Sequence, residues 1–112
     1  MVVNYYSCIN NTIWYHVHMK AKLIAKEKML LKDGYILELV VWQLPLKTKD
    51  RPHGYKYRLY FGNSKGECLV RYDNETGKGD HKHINNKEIA YKFVNKNKLF
   101  KDFYRDITLF LE

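Results

Sequence analysis

The chain has 112 residues, 46% of them hydrophobic and 15% aromatic, and 20 Lys and Arg against 12 Asp and Glu give a formal net charge of +8. That length fits one domain around one modest core, and the apolar content argues against a disordered chain. No stretch approaches the ~18 apolar residues of a bilayer-crossing helix. No basic region opens a signal peptide. Cys8 and Cys68 form no CxxC pair, which argues against a zinc ribbon or a thioredoxin-type centre.

A basic balance favours acidic partners: nucleic acid, an anionic membrane surface or an acidic protein. The competing reading is a solvated lysine coat. The compartment expected for so few cysteines is the reducing cytoplasm.

Residues 1–18 contain no Lys, Arg, Asp or Glu, yet carry Tyr5, Tyr6, Trp14 and Tyr15. One reading is a short extra strand; the favoured one is an N-terminal extension, with Met19 the functional start and residues 19–112 the domain. His16-x-His18 falls in this stretch and is treated as incidental. Lys20 to Leu31 alternates imperfectly: Ala21, Leu23, Ala25, Met29 and Leu31, with Glu27 the exception, against Lys20, Lys22, Lys26 and Lys28, with Ile24 and Leu30 the exceptions. Period two is a half-buried strand with one cationic face. Asp33-Gly34 is a hairpin signal. Tyr35 to Leu44 reads as a central strand, apolar on both faces, and Pro45 ends it.

Tyr55 to Phe61 alternates again, with Tyr55, Tyr57, Leu59 and Phe61 opposite Lys56, Arg58 and Tyr60. Glu67 to Asp73 makes a fourth strand, with Cys68, Val70 and Tyr72 opposite Leu69, Arg71 and Asp73. Within it Cys68 is expected to be a small buried apolar residue. A glycine-loosened loop follows, where Asn74 suits an Asx-turn or a base contact. His81 to Ile84 reads as a short fifth strand, broken at Asn85-Asn86. Leu99, Phe100, Phe103, Tyr104, Ile107, Phe110 and Leu111 recur at helical spacing, capped by Asn95 or Asn97. Lys101, Asp102, Arg105 and Asp106 are placed on its outer side. The fold expected is α+β: an antiparallel meander of four to five strands with a C-terminal helix packed on one face.

The other face is then left for solvent or a ligand. Lys20, Lys22, Lys26, Lys28, Lys56, Arg58 and Arg71 are expected there. Cations on a sheet face track a phosphate backbone, and Tyr60 among them stacks on a base. Lysines at a sheet edge equally suppress aggregation.

Chemistry concentrates between Pro52 and His83. His81-x-His83 puts two imidazoles on one side of a strand. One reading is a transition-metal site completed by His53 or Asp80. The other is a general acid and base for phosphodiester cleavage. RNA brings its own 2′-hydroxyl, so a base, an acid and a cation suffice without metal or cofactor. His53, Arg58, Asp73, His81 and His83 are the candidate catalytic residues, with Asp73 orienting a histidine. Lys22, Lys26, Lys56, Tyr60, Arg71 and Lys78 are the candidates for nucleic-acid binding. Gly77-Lys78-Gly79-Asp80 lacks the spacing and the helix of a P-loop. No Gly-x-Ser-x-Gly or His-Glu-x-x-His occurs, which sets aside serine hydrolases and zincins.

The order Lys20-Ala21-Lys22-Leu23, Asp33-Gly34, Ile36-Leu37-Glu38, Val41-Trp42, Pro52-His53-Gly54-Tyr55-Lys56-Tyr57-Arg58-Leu59, Tyr72-Asp73-Asn74-Glu75, Gly77-Lys78-Gly79-Asp80-His81, His83 and Tyr91-x-Phe93 resembles the TumE-type toxins of prokaryotic toxin–antitoxin systems. The resemblance runs from about Met19 to the C-terminus. It implies a small cytoplasmic growth inhibitor held inactive by a DNA-binding antitoxin encoded beside it. It assigns no catalytic residue. The roles above, and RNA as the target, rest on physical chemistry. A non-catalytic nucleic-acid binder and a protein-interaction module are the alternatives.

Overall fold

The computed structural model describes residues 20–111. Cys8, His16, His18 and the expectation that residues 1–18 are an extension lie outside the described residues. One antiparallel sheet holds six strands in chain order, β1 (Lys22–Leu30), β2 (Ile36–Gln43), β3 (Tyr55–Gly62), β4 (Cys68–Asp73), β5 (His81–Ile84) and β6 (Lys87–Ala90). One helix, α1 (Lys96–Ile107), follows. The α+β class is as expected, with six strands in place of four to five. The extra strand, Lys87–Ala90, is four exposed residues with no periodic pattern. It exists because it completes the hairpin behind Asn85, whose φ of 58° makes the turn.

Alternation builds the core. Leu37, Leu39 and Val41 of β2, Tyr57, Leu59 and Phe61 of β3, and Val70 and Tyr72 of β4 are buried on one face. Leu99, Phe103 and Ile107 of α1 close over them. Each such side chain contributes about 1.5–3 kcal/mol. The Asp-Gly turn forms as read: Asp33 and Gly34 both take positive φ, 64° and 82°. Asn95 caps α1, its Oδ1 accepting from the Lys98 N–H at 2.8 Å. Asn95→Ala is expected to lower stability by about 1 kcal/mol, read as a shift in the urea midpoint at constant slope.

Asp102 and Asp106 are not on the outer side of α1. They are 4% and 6% exposed. Both flank the apolar stripe and meet polar tips from the sheet. Asp102 accepts from Tyr91 Oη at 2.7 Å and from Lys98 Nζ at 2.9 Å. Burial raises its pKa, but those two bonds and the Lys98 and Arg105 charges outweigh it and hold the carboxyl below its usual range. Asp106 accepts from Tyr72 Oη at 2.5 Å and Lys82 Nζ at 3.0 Å. Burial and the bond to Asp106 push the Tyr72 phenol far up, so it stays a donor.

The face opposite α1 is set by the same register. Across it run two rows of paired residues. One is Val40, Arg58, Asp73, His81 and Ala90, and the other is Glu38, Tyr60, Arg71, His83 and Glu88. Lys26 and Lys28 pair with Val40 and Glu38 and join this face. Lys22 does not. A bulge between Leu23 and Ala25 inserts one residue, so Lys22 pairs with Gln43 and turns to the other face. No helix among the described residues is long and apolar enough to cross a membrane.

Candidate functional site

The strand β5 presents both histidines because Lys82 between them is held on the other side. Lys82 reaches Asp106 on the α1 face, so His81 and His83 face away from the helix. Their rings stand edge to face at 5.2 Å.

Asp73 sits between a histidine and an arginine. Its Oδ1 lies 2.6 Å from His81 Nε2, and its Oδ2 lies 3.0 Å from Arg71 Nε. These are ion-pair distances set off the hydrogen-bonding angle, so Arg71 Nε, Asp73 Oδ1 and His81 Nε2 are buried without a hydrogen bond. His81 Nδ1 lies 3.0 Å from the Gly79 carbonyl. A carbonyl only accepts, so Nδ1 carries a proton there. Asp73 and His81 are 4% and 3% exposed. They form a buried support, out of reach of a substrate.

His83 is the most exposed of the three described imidazoles, with 20% of its side chain accessible against 15% for His53 and 4% for His81. Arg71 Nη2 lies 3.0 Å from its Nε2. Guanidinium only donates, so Nε2 accepts and the ring is neutral with its proton on Nδ1. Burial, and then the Arg71 charge, hold its pKa below the ordinary histidine value. Arg71 and His83 line a cavity of about 500 Å³, together with Glu67, Cys68, Asn85 and Asn86. Cys68 is only half-buried, contrary to expectation, and burial raises its thiol pKa, which keeps it protonated. Glu88 stands 3.9 Å from His83 Nε2 and 3.5 Å from Lys78 Nζ. The tip of the 74–80 loop therefore leans back over the same rows.

His53 belongs to a different cluster. Its Nε2 lies 2.9 Å from Asp80 Oδ2, and its Nδ1 accepts the Tyr55 N–H at 3.1 Å. Asp80 also accepts from Tyr57 Oη at 2.6 Å, a residue of the core face. Phe93 stacks on the His53 ring at 3.9 Å. Both ring nitrogens are thus committed, and the ring ties the start of β3 to the start of β5. Asp80 and His81 are sequence neighbours whose side chains serve opposite faces, which separates His53 from the other imidazoles.

Arg58 shares the row of Asp73 and His81 but leans outward. Its side chain is half exposed, 3.8 Å from Glu38 and 5.2 Å above the Tyr60 ring. Lys56 lies beside it on β3, opposite Trp42.

Donor atoms of His81, His83 and Glu88 lie within 4.8 Å of one another. They fit a metal poorly. Arg71 takes the His83 Nε2 lone pair, and His81 Nε2 faces Asp73. A guanidinium already holds the cation position among these groups. His53 and Asp80, the residues expected to complete a metal site, pair with each other elsewhere.

Asn74 forms neither an Asx-turn nor an open base contact. Its amide instead extends the sheet, Oδ1 accepting from the Tyr57 N–H at 3.0 Å and Nδ2 donating to the Tyr55 carbonyl at 2.7 Å. Glu88 is a site residue that the sequence does not announce, because it lies on a strand too short to show a period.

Fold and site together define a small α+β protein whose sheet face opposite the helix gathers ionisable residues from consecutive strands. Residues 20–111 match the family described as Toxin TumE, and the chain belongs to that family. Membership makes it a toxin and implies a cognate antitoxin as its partner. Among curated proteins and solved structures, none matches the chain.

Proposed function

We propose that this toxin arrests growth by cleaving RNA without a metal, at the Arg71–His83 wall of the 500 Å³ cavity. The observation that carries this reading is the bond from Arg71 Nη2 to the neutral His83 Nε2 at that wall. A phosphate entering the cavity competes for the same guanidinium. Arg71 turns to the phosphate, and the His83 lone pair is released to act as base.

His83 then takes the proton of the RNA 2′-hydroxyl. The 2′-oxygen attacks phosphorus and the bond to the 5′-oxygen breaks. The imidazolium returns its proton to that leaving oxygen, directly or through one water. The products are a 2′,3′-cyclic phosphate and a 5′-hydroxyl, and His83 ends neutral. Arg71 stabilises the charge gathering on the phosphoryl oxygens. Asp73 and His81 hold Arg71 in place from behind, and His53 fixes the strand ends. The cytoplasm is the compartment of such a toxin, and its antitoxin is a DNA-binding protein, as the family resemblance implies.

A second reading is occupancy without chemistry, supported by Arg58 above Tyr60 on the same face. The two readings separate cleanly. Arg58→Glu combined with Lys26→Glu is expected to weaken RNA binding at least about tenfold. The log–log salt slope should flatten by about 0.7 for each phosphate that is no longer neutralised. Cleavage at saturating RNA stays within a few-fold of wild type in the first reading. In the second, toxicity falls with binding while His83→Ala leaves it untouched.

A further inference from the structure

Arg51 carries a charge that the fold encloses, and it has no counter-ion among the described residues. The residue is 4% exposed. Its backbone is fixed in a double turn: its N–H donates to Thr48 at 3.2 Å, and its carbonyl accepts from Gly54 at 2.9 Å. The side chain crosses to the 74–80 loop, where Nη2 donates to Thr76 Oγ1 at 3.3 Å. Nε is buried with no partner. Among the described residues Nη1 has no hydrogen-bond partner either, so Thr76 is the one side chain that meets the guanidinium there. The nearby carboxylates serve other groups: Asp50 accepts from the Gly77 N–H at 3.2 Å, and Asp73 faces Arg71 and His81.

A buried charge without a partner is strongly destabilising, and it is retained most readily where a ligand supplies the opposite charge. The donors left to a ligand are the Arg51 guanidinium and the hydroxyl proton of Thr76, whose oxygen already accepts from Arg51. The ligand they fit is an anion with several acceptor oxygens. Beside them Gly77 and Gly79 have φ of 84° and 76°, and a Cβ on either would meet nothing within 4 Å. The loop surface is therefore clear of side chains on both sides of Lys78. The same loop begins at Asp73 and ends at His81.

We propose that Arg51 and Thr76 form an anion-binding subsite that takes a phosphate group of a polynucleotide backbone other than the one handled by Arg71. The source of the phosphate rests on RNA being the target. The anion seat itself does not. Purified wild type, Arg51→Met and Thr76→Val are compared by thermal melting in inorganic phosphate against sodium chloride of equal ionic strength. Each is also titrated with a short single-stranded 2′-O-methyl oligoribonucleotide, which cannot be cleaved through a 2′-hydroxyl.

Wild type is expected to melt higher in phosphate than in chloride. R51M is expected to melt in chloride no lower than wild type, because an uncompensated charge has been replaced by an apolar chain of similar length, and to show a smaller phosphate response, the remainder being that of Arg71. T76V melts as wild type with a weakened response. Oligonucleotide affinity in R51M falls about 10- to 100-fold, and the salt slope drops by about 0.7.

An R51M protein that unfolds or melts well below wild type overturns the proposal, since the guanidinium is then a structural tie. A phosphate response in R51M as large as that of wild type overturns it as well. A smaller phosphate response with unchanged oligonucleotide affinity rejects the polynucleotide as the source and leaves a free anion or an acidic partner. His83→Ala keeps the phosphate response whether or not the protein cleaves RNA, so failure of the ribonuclease reading and failure of this subsite are told apart.

Discussion

Replacing His83 by alanine is expected to lower the rate of RNA cleavage by about 10²–10⁴-fold, the range for removing a group that moves a proton in the transition state. His83→Ala removes a side chain from a cavity wall and leaves the core untouched, so melting should shift little. Growth arrest on expression should disappear with the activity. The pH profile provides a second check. Burial and the Arg71 charge lower the His83 pKa, so the ring remains a competent base below the pH at which an ordinary histidine, near about 6.5, becomes protonated. The acid limb of kcat/KM is therefore expected below that value. The sign for stability follows from the same direction. The unfolded chain binds this proton more readily than the folded one, so His83 opposes folding as pH falls from about 6.5 through its lowered folded pKa. Arg71→Met removes one cause of the depression and should move the limb upward while cutting kcat/KM. A limb that stays put in R71M, with kcat/KM intact, speaks against the pair.

The second large effect is on stability and lies on the other face. Asp106→Ala is expected to cost about 3–5 kcal/mol, because it strands buried partners. Asp106 accepts from Tyr72 Oη and Lys82 Nζ and is 6% exposed. Without it the Tyr72 hydroxyl and the Lys82 ammonium lose their main acceptor in the interior. The urea midpoint should fall at nearly constant slope. Adding Tyr72→Phe and Lys82→Met to Asp106→Ala should recover much of the loss, since apolar replacement of all partners leaves nothing unsatisfied. The effect reaches the site as well. Lys82 anchors β5 to α1, and that anchor aims His81 and His83 at the opposite face. Cleavage by D106A should drop even at temperatures where the protein is folded. A loss under about 1 kcal/mol, or full activity in the folded variant, contradicts the anchoring role.

What the sequence reveals, and what it conceals, follows from the range of the forces involved. The β3 and β4 faces are legible because alternation is local: Tyr57, Leu59 and Phe61 point one way, Arg58 and Tyr60 the other. The pairing of Arg71 and Asp73 with His81 and His83 follows once the β4–β5 hairpin is granted. The helix stripe of Leu99, Phe103 and Ile107 and the Asn95 cap are equally local. The bulge at Ile24 is set by the register of β1 against β2, and its one mark in the sequence is that Ile24 interrupts the lysines at even positions. It moves Lys22 off the face of Lys26. Asp102 and Asp106 border Leu99 on the helix, and their charge alone makes them read as solvent residues. Lys98 and Arg105 on the helix itself, together with Tyr72, Tyr91 and Lys82 from the sheet, offset the cost of burying them. His53 and His81 look like one cluster in sequence. Asp80 separates them by binding Tyr57 on the core face.

The surface pair Lys78–Glu88 illustrates a difference in weight. Both side chains are about half exposed at 3.5 Å, and such pairs contribute roughly 0–1 kcal/mol. Its place beside His83 gives it a role in loop position and no claim on stability. The buried Asp73 interactions weigh more, because their removal leaves Arg71 and His81 without the carboxylate between them.

The central claim is that Arg71 and His83 carry out RNA cleavage with the substrate's own 2′-hydroxyl as nucleophile. It is tested most directly by incubating the purified protein with single-stranded RNA in EDTA and identifying the ends of the products. The account predicts 2′,3′-cyclic phosphate and 5′-hydroxyl ends from wild type, none from His83→Ala, and no cleavage of fully 2′-O-methylated RNA. Intact RNA in the presence of wild-type protein that still arrests growth would contradict it.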